Sequence, residues 1–245
     1  MNQACDLKRC FLCAHSLPEW HDAICSHRKN LEFKKGQAIF NEGDEVKGIY
    51  FVYSGTVKVH KKWGADKELI IRFASNGSIL GHRGLTNDKI YSVSATAIEP
   101  AIVCYVDLDF FKWSLKVNHT LSYSLMMFFA EELGEAEQKM HDLALMPVKE
   151  CLKEALIKLE KQFGRDDDGY INLRLPRQDL AQFTGTTYET VFRTLNEMRD
   201  EGSIELEKKR IKLVSTLAVP FERSPAKQMS KKSRFDKSKL VEAVK

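Results

Sequence analysis

No run of eighteen apolar residues occurs in the 245-residue chain, so nothing in it would cross a bilayer as a helix. The opening MNQACDLKRC lacks the apolar stretch of a secretory signal, and the expectation is a cytoplasmic protein with no membrane partner. Charge of one sign is not abundant: the net value of +4 is too mild to announce nucleic acid by electrostatics alone. Paired carboxylates, a nucleophile elbow and a phosphate-binding glycine loop are all missing, which argues against an enzyme. No internal repeat is visible. What is present is ordinary for a globular chain, 43% hydrophobic and 29% charged, enough for one large domain or two modest ones. Six cysteines without a secretion signal point to thiols or metal ligands rather than disulfides.

The stretch Leu175 to Gly202 carries the strongest signal. Leu180, Ala181 and Phe183 give a short first helix an apolar side, and Gly185 sits where a sharp turn needs positive φ. Val191, Leu195 and Met198 then recur at helical spacing, giving a second helix one buried face. Thr187, Tyr188, Glu189, Thr190 and Arg193 form its polar row, which suits entry into a major groove, arginine best on guanine and glutamate on cytosine. A packed helical hairpin with a solvated face is the bland alternative. Against it stands the next segment, Gly202 to Val214, which reads as two short strands around a basic turn, a wing with Lys208, Lys209 and Arg210 at its tip for phosphate contact.

Arg177-x-Asp179-Leu180-Ala181, then Gly185, then Glu189-Thr190-Val191-x-Arg193-x-Leu195, resembles the Crp/Fnr family of bacterial transcription regulators, and the likeness runs over roughly residues 17 to 215. The resemblance implies a homodimeric regulator of the α+β class: an N-terminal jelly-roll-like β-roll of the cyclic-nucleotide-binding type, a long dimerisation helix and a C-terminal winged helix-turn-helix. The expected boundaries are an N-terminal cysteine-containing segment at 1–16, the sensory roll at 17–116, the dimerisation helix at 117–146, the winged helix at 147–217 and a basic, disordered tail at 218–245. In the family the recognition-helix Glu and Arg read bases, here Glu189 and Arg193; the variable position before the Glu is Tyr188. Arg177, Thr187, Thr190 and Lys209 are assigned to phosphate positioning. The partners are a two-fold symmetric operator in double-stranded DNA, a second copy of the chain and, for an activator, RNA polymerase.

The residues support that layout. Between Leu31 and Asp109 short β-rich segments alternate with glycine turns, the pattern of a sandwich or roll rather than a parallel sheet. A short helix is expected at Pro18 to His27. Further on, Met126, Phe129, Leu133, Ala136, Met140 and Leu143 step by three and four, a heptad seam without a charged residue. Leu121, Leu125 and Phe128 form a second apolar line for packing on the roll; Pro147 should break the helix.

The signal is less legible. Family members that bind cyclic AMP use a Gly-Glu pair for the ribose and an Arg-Ser pair for the phosphate. The corresponding residues are Gly81-His82-Arg83 and Tyr91-Ser92, so the Glu has become His82 and the Arg has become Tyr91, which argues against cyclic AMP. These five are the candidate effector pocket. Cys5, Cys10, Cys13 and Cys104 make four thiolates, enough for a [4Fe–4S] cluster. That arrangement is similar to the oxygen-sensing Fnr branch, although the x4 and x2 spacing differs from the branch's own. Unliganded thiols are the alternative; Cys25 is expected in the apolar core and Cys151 as a structural cysteine. Haem on His15, His21, His27 or His82 is a third option, and a signalling module that docks protein rather than DNA is a fourth.

Overall fold

The computed structural model describes residues 7–64 and 67–214. Cys5, the last residues of the expected winged domain (215–217) and the whole expected basic tail, 218–245, lie outside the described residues.

A short helix α1 (Phe11–His15) and a 3-10 turn at Pro18–Trp20 lead into α2 (His21–His27), matching the helix expected from Pro18. The roll is two antiparallel four-stranded sheets. One runs β1 (Lys29–Phe33), β8 (Ala101–Asp107), β3 (Gly48–Ser54), β6 (Ile79–Leu80); the other runs β2 (Ala38–Phe40), β7 (Ser94–Ala97), β4 (Val57–Trp63), β5 (Lys67–Ala74). The alternation along the strands decides which side chains meet between the sheets: Val52, Val57, Val59, Ala95 and Val103 are all buried in one cluster. One turn demands glycine for two reasons. Gly55 has φ +84° and a Cβ on it would lie 2.5 Å from the Pro100 carbonyl oxygen, so both conformation and space exclude a side chain.

Two helices follow the roll, not one continuous one. In α3 (Leu108–Val117) the Asp107 carboxylate accepts from the Phe110 N–H at 2.9 Å as N-cap. The chain then kinks at the fully buried Asn118 before α4 (His119–Leu145). Asn118 accepts from the Leu17 N–H and donates to the Ser114 carbonyl; α4 is the helix expected over 117–146, whereas α3 before it was not expected.

The apolar lines on α4 divide as their spacing requires. Leu121, Leu125 and Phe128 pack into the cluster beneath the roll, whereas Met126, Phe129, Leu133 and Met140 stay exposed, Leu133 by 62% and Met140 by 64%. Leu143 is exposed too, by 40%, with its Cδ2 lying 2.8 Å from where a Cβ on Gly185 would stand, and Ala136 is half-buried.

After Pro147 come α5 (Val148–Phe163), α6 (Arg177–Thr184), α7 (Tyr188–Asp200) and the hairpin β9 (Ile204–Glu207)–β10 (Arg210–Leu213). Leu152, Leu156, Leu159, Leu180, Val191, Leu195, Met198, Ile204 and Ile211 share one core. Ile70 and Phe73 of β5 belong to the same cluster, so the C-terminal domain is docked onto the roll. Lys58 clamps the join, with Glu68 on one side and Asp179 of α6 at 3.4 Å on the other.

Candidate nucleic-acid interface and sensory site

Helix α6 ends at Gly185, whose φ of +67° is left-handed; the Thr186 N–H then reaches back to the Ala181 carbonyl at 3.0 Å. One residue later Thr187 caps α7, its hydroxyl accepting from the Thr190 N–H at 3.2 Å. These two local devices, both written in the sequence, fix the turn between the helices. Burial of Val191, Thr194, Leu195 and Met198 then dictates which face of α7 is left outside. Tyr188, Glu189 and Arg193 are exposed on it, Thr187 with them and Thr190 half-exposed. The Arg193 side chain is 74% accessible, and its nearest carboxylate, Glu197, is 3.8 Å away. Phe192, not expected there, is also exposed, and Tyr188 stacks on it at 6.3 Å between ring centroids. It sits four residues after Tyr188, on the stripe flanking the buried one, so helical spacing could have placed it.

The wing departs from expectation at one residue. Lys208 and Lys209 form its tip, Lys208 with φ +53°. Arg210 does not join them. Its guanidinium is held by Asp166 (2.9 Å), Asp168 and Glu207 and lies over the Tyr170 ring at 4.2 Å, which braces the wing against the loop after α5. A cation already shared among three carboxylates is a poor phosphate ligand. Arg177 is also partly engaged, donating to the Lys208 carbonyl at 3.2 Å.

In the roll, the positions expected to form an effector pocket do not enclose one. Tyr91 is buried, stacked on Phe40 at 4.0 Å, with its hydroxyl donating to the Gly48 carbonyl at 2.7 Å. Gly81 lies beneath the Tyr91 ring, 3.0 Å from its would-be Cβ, and Ser92 points to solvent. His82 and Arg83 turn toward α4, where Glu132 receives His82 Nε2 at 2.8 Å, Arg83 Nε at 3.2 Å and Arg72 Nε at 3.0 Å. Burial by itself would raise the Glu132 carboxyl; the His82 hydrogen bond and the charges of Arg72 and Arg83 overcome it and hold the group down to about 2. Burial pushes His82 below its ordinary value, against the opposing pull of the Glu132 hydrogen bond and charge, and its Nδ1 is left without a partner. Glu132 and Arg72 were not singled out by the sequence analysis. The available signal was a carboxylate continuing the buried line Leu121, Leu125, Phe128 by one more helical step.

Cys10, Cys13 and Cys104 are all buried in the cluster under the first sheet. Helix α1, which carries Cys13, is tied there by the Phe11 N–H on the Gly77 carbonyl at 3.0 Å. Among the described residues no three His, Cys, Asp or Glu side chains stand close enough to hold a metal ion. Cys25 is exposed rather than in the core, because α2 buries only Ile24. Cys151 is half-buried, its thiol donating to the Asp142 carbonyl. Of the histidines named for haem, His21 contacts the Cys13 carbonyl, His15 the Ser124 hydroxyl, His27 the Ala23 carbonyl and His82 the Glu132 carboxylate.

Comparison with known proteins agrees at both ends of the chain. Residues 30–118 match the cyclic nucleotide-binding domain, and residues 152–217 match the Crp-like helix-turn-helix domain. The chain belongs to the Crp/Fnr family of transcription regulators. It is 29% identical over 199 residues to the anaerobic regulatory protein of Bacillus subtilis, covering 80% of this chain and 82% of that one. With the transcriptional activator FnrA of Stutzerimonas stutzeri the identity is 24%, over 78% and 79% of the two chains. The structure of FixK2 from Bradyrhizobium japonicum superposes with a TM-score of 0.69 at 22% identity, over 76% of this chain and 92% of that one, a likeness of fold. This Crp/Fnr regulator is thus a DNA-binding transcription regulator built on a β-roll, a long helix and a winged helix-turn-helix. Membership does not carry a cyclic nucleotide with it. The ribose acceptor is replaced by a histidine tied to Glu132, and the phosphate arginine by a tyrosine packed in the core, so the residues present do not fit that ligand.

Proposed function

We propose that this regulator binds a two-fold symmetric operator as a homodimer in the cytoplasm, and that its signal arrives through the cysteines rather than through a nucleotide. The apolar face of α4 carries the proposal: Met126, Phe129, Leu133 and Met140 are exposed on a helix whose opposite line is buried, and nothing charged interrupts them. Burying such a face removes water at ~25 cal/mol per Å² of apolar surface. Two-fold pairing also sets two recognition helices to read half-sites about one DNA turn apart. Tyr188, Glu189 and Arg193 read base edges; Thr187, Thr190, Lys209 and the less engaged part of Arg177 position phosphates. RNA polymerase is the further partner if the protein activates.

For the signal, Cys10, Cys13 and Cys104 share one buried cluster, and Cys5 precedes them. Four thiolates suit a [4Fe–4S] cluster, which would supply oxygen-sensitive redox chemistry. The Bacillus subtilis relative, named an anaerobic regulatory protein, favours this reading. The chain's own part is to present the thiols from α1 and β8 on apolar walls, so that their loss or oxidation changes how α1 packs on α4.

Leu133→Glu tests the dimer: it sets like charges against each other on the seam, and sedimentation should report a monomer whose operator binding is lost. A wild-type monomer at micromolar concentration would overturn the pairing. Protein purified without oxygen should be brown and contain iron and sulfide, and Cys104→Ser should bleach it whereas Cys151→Ser should not. Colourless, iron-free protein after anaerobic reconstitution would leave the thiols as structural residues.

A further inference from the structure

Outside the closed knot around Glu132 lies a cavity of about 480 Å³. Its three walls come from parts that must move relative to one another in any switch: β5 of the roll (Ile71, Arg72, Phe73), α4 (Glu135, Ala136, Lys139) and α5 of the DNA-binding domain (Lys158, Lys161, Gln162). The residues expected to bind an effector inside the roll contribute only Arg83; Gly81, Tyr91 and Ser92 take no part.

Its charge is out of balance. Arg72, Arg83, Lys139, Lys158 and Lys161 face it against two carboxylates, Glu132 and Glu135. Glu132 is already shared by both arginines. The other acids on this side, Asp142 and Glu154, line the adjoining crevice around Cys151, which Lys139 and Lys158 also line. Lys139 is fixed at the back, its ammonium donating to the Ile70 carbonyl at 2.7 Å and lying 4.3 Å over the Phe183 ring. Burial, and then the neighbouring charge of Lys158, lower its pKa to about 8. Converging cations in excess of the carboxylates around them repel one another, and an arriving anion relieves that repulsion.

We propose that this junction is a binding site for a small multiply charged anion, a phosphorylated metabolite or a polycarboxylate, held by Lys139, Lys158 and Lys161 with Arg83 at the inner end. The volume is that of a small-molecule site, and its floor of Ile71, Phe73 and Phe183 is apolar enough for a short carbon skeleton beside the charges. A ligand that touches the roll, α4 and α5 together binds one arrangement of the domains better than another, and so couples its own binding to the placement of the recognition helix. No cysteine lines the site, and it meets the dimer seam at Ala136.

Calorimetry on the full-length protein at fixed ionic strength tests it, with pyrophosphate, citrate and the uncharged adenosine as probes. Pyrophosphate or citrate should bind one per chain and adenosine should not; a preference between the two anions identifies phosphate or carboxylate as the natural group. Lys158→Ala combined with Lys161→Ala, both solvent-facing and compatible with folding, should weaken the bound anion at least ten-fold while leaving the melting temperature of the free protein unchanged. Absence of binding by both anions, equal binding by adenosine, or an affinity unaltered in the double variant would each overturn the site.

Discussion

Glu132 and Glu189 are both glutamates on helices of this chain, and they are used in opposite ways. Glu132 stands where α4 meets the roll, buried, and receives hydrogen bonds or ion pairs from His82, Arg83 and Arg72. Glu189 stands in the first turn of α7, exposed, beside an Arg193 that is also largely in solvent. The same contrast separates Arg210, spent on Asp166, Asp168 and Glu207, from Arg193. A charge already satisfied within its own chain is structural, because a ligand must first displace its partners. One kept in water at the end of a rigid helix is available at no such cost.

The largest expected effect would break the comparison at its buried end. Glu132→Ala leaves Arg72 and Arg83 facing each other without their carboxylate, and should cost about 3–5 kcal/mol of roll stability, read as a drop in the denaturant midpoint. A change under about 1 kcal/mol would place Glu132 with the surface charges. Next is Arg193→Ala, which should leave stability intact, weaken operator binding by about 1–3 kcal/mol and relax preference at one base position. Unchanged affinity and unchanged preference would remove Arg193 from base reading.

Acid sharpens the same contrast. The Glu132 carboxyl is held at about 2, below its ordinary 4.5, so the stabilisation it provides is complete above the unfolded value and is lost as pH falls from about 4.5 toward 2. Stability of wild type should decline across that window more steeply than that of Glu132→Gln, whereas Glu189→Gln should follow wild type. The smallest effect belongs to the wing: Lys209→Ala should weaken all DNA sequences alike and reduce the salt slope by about 1. Arg210→Ala should act instead through the wing's conformation, visible as faster amide exchange in β9 and β10. An Arg210→Ala salt slope reduced as in Lys209→Ala would return Arg210 to the phosphate contacts.

Much of the DNA-binding end was legible in advance because its determinants are local. Gly185 needs a left-handed conformation, Thr187 caps the helix three residues before the group it holds, and Val191, Leu195 and Met198 share one face by helical periodicity alone. The glycine-punctuated strands and the two apolar lines of α4 are local in the same sense. The break at Asn118 was not, since its amide is satisfied by Leu17, far away in sequence.

The sequence by itself determined a β-rich sensory half, a helix with two apolar lines and a winged helix-turn-helix. Backbone conformation, side-chain period and turn chemistry each act within a few residues. Only the tertiary structure decided which charges remain available. Arg72, His82 and Glu132 come from a strand, a turn and a distant helix, and Arg210 meets Asp166 across 44 residues of sequence. The lysines of α5 face β5 only because Ile70 and Phe73 dock into the C-terminal core. Electrostatic partnership falls off with distance in space and not along the chain, so no periodicity in the sequence encodes it.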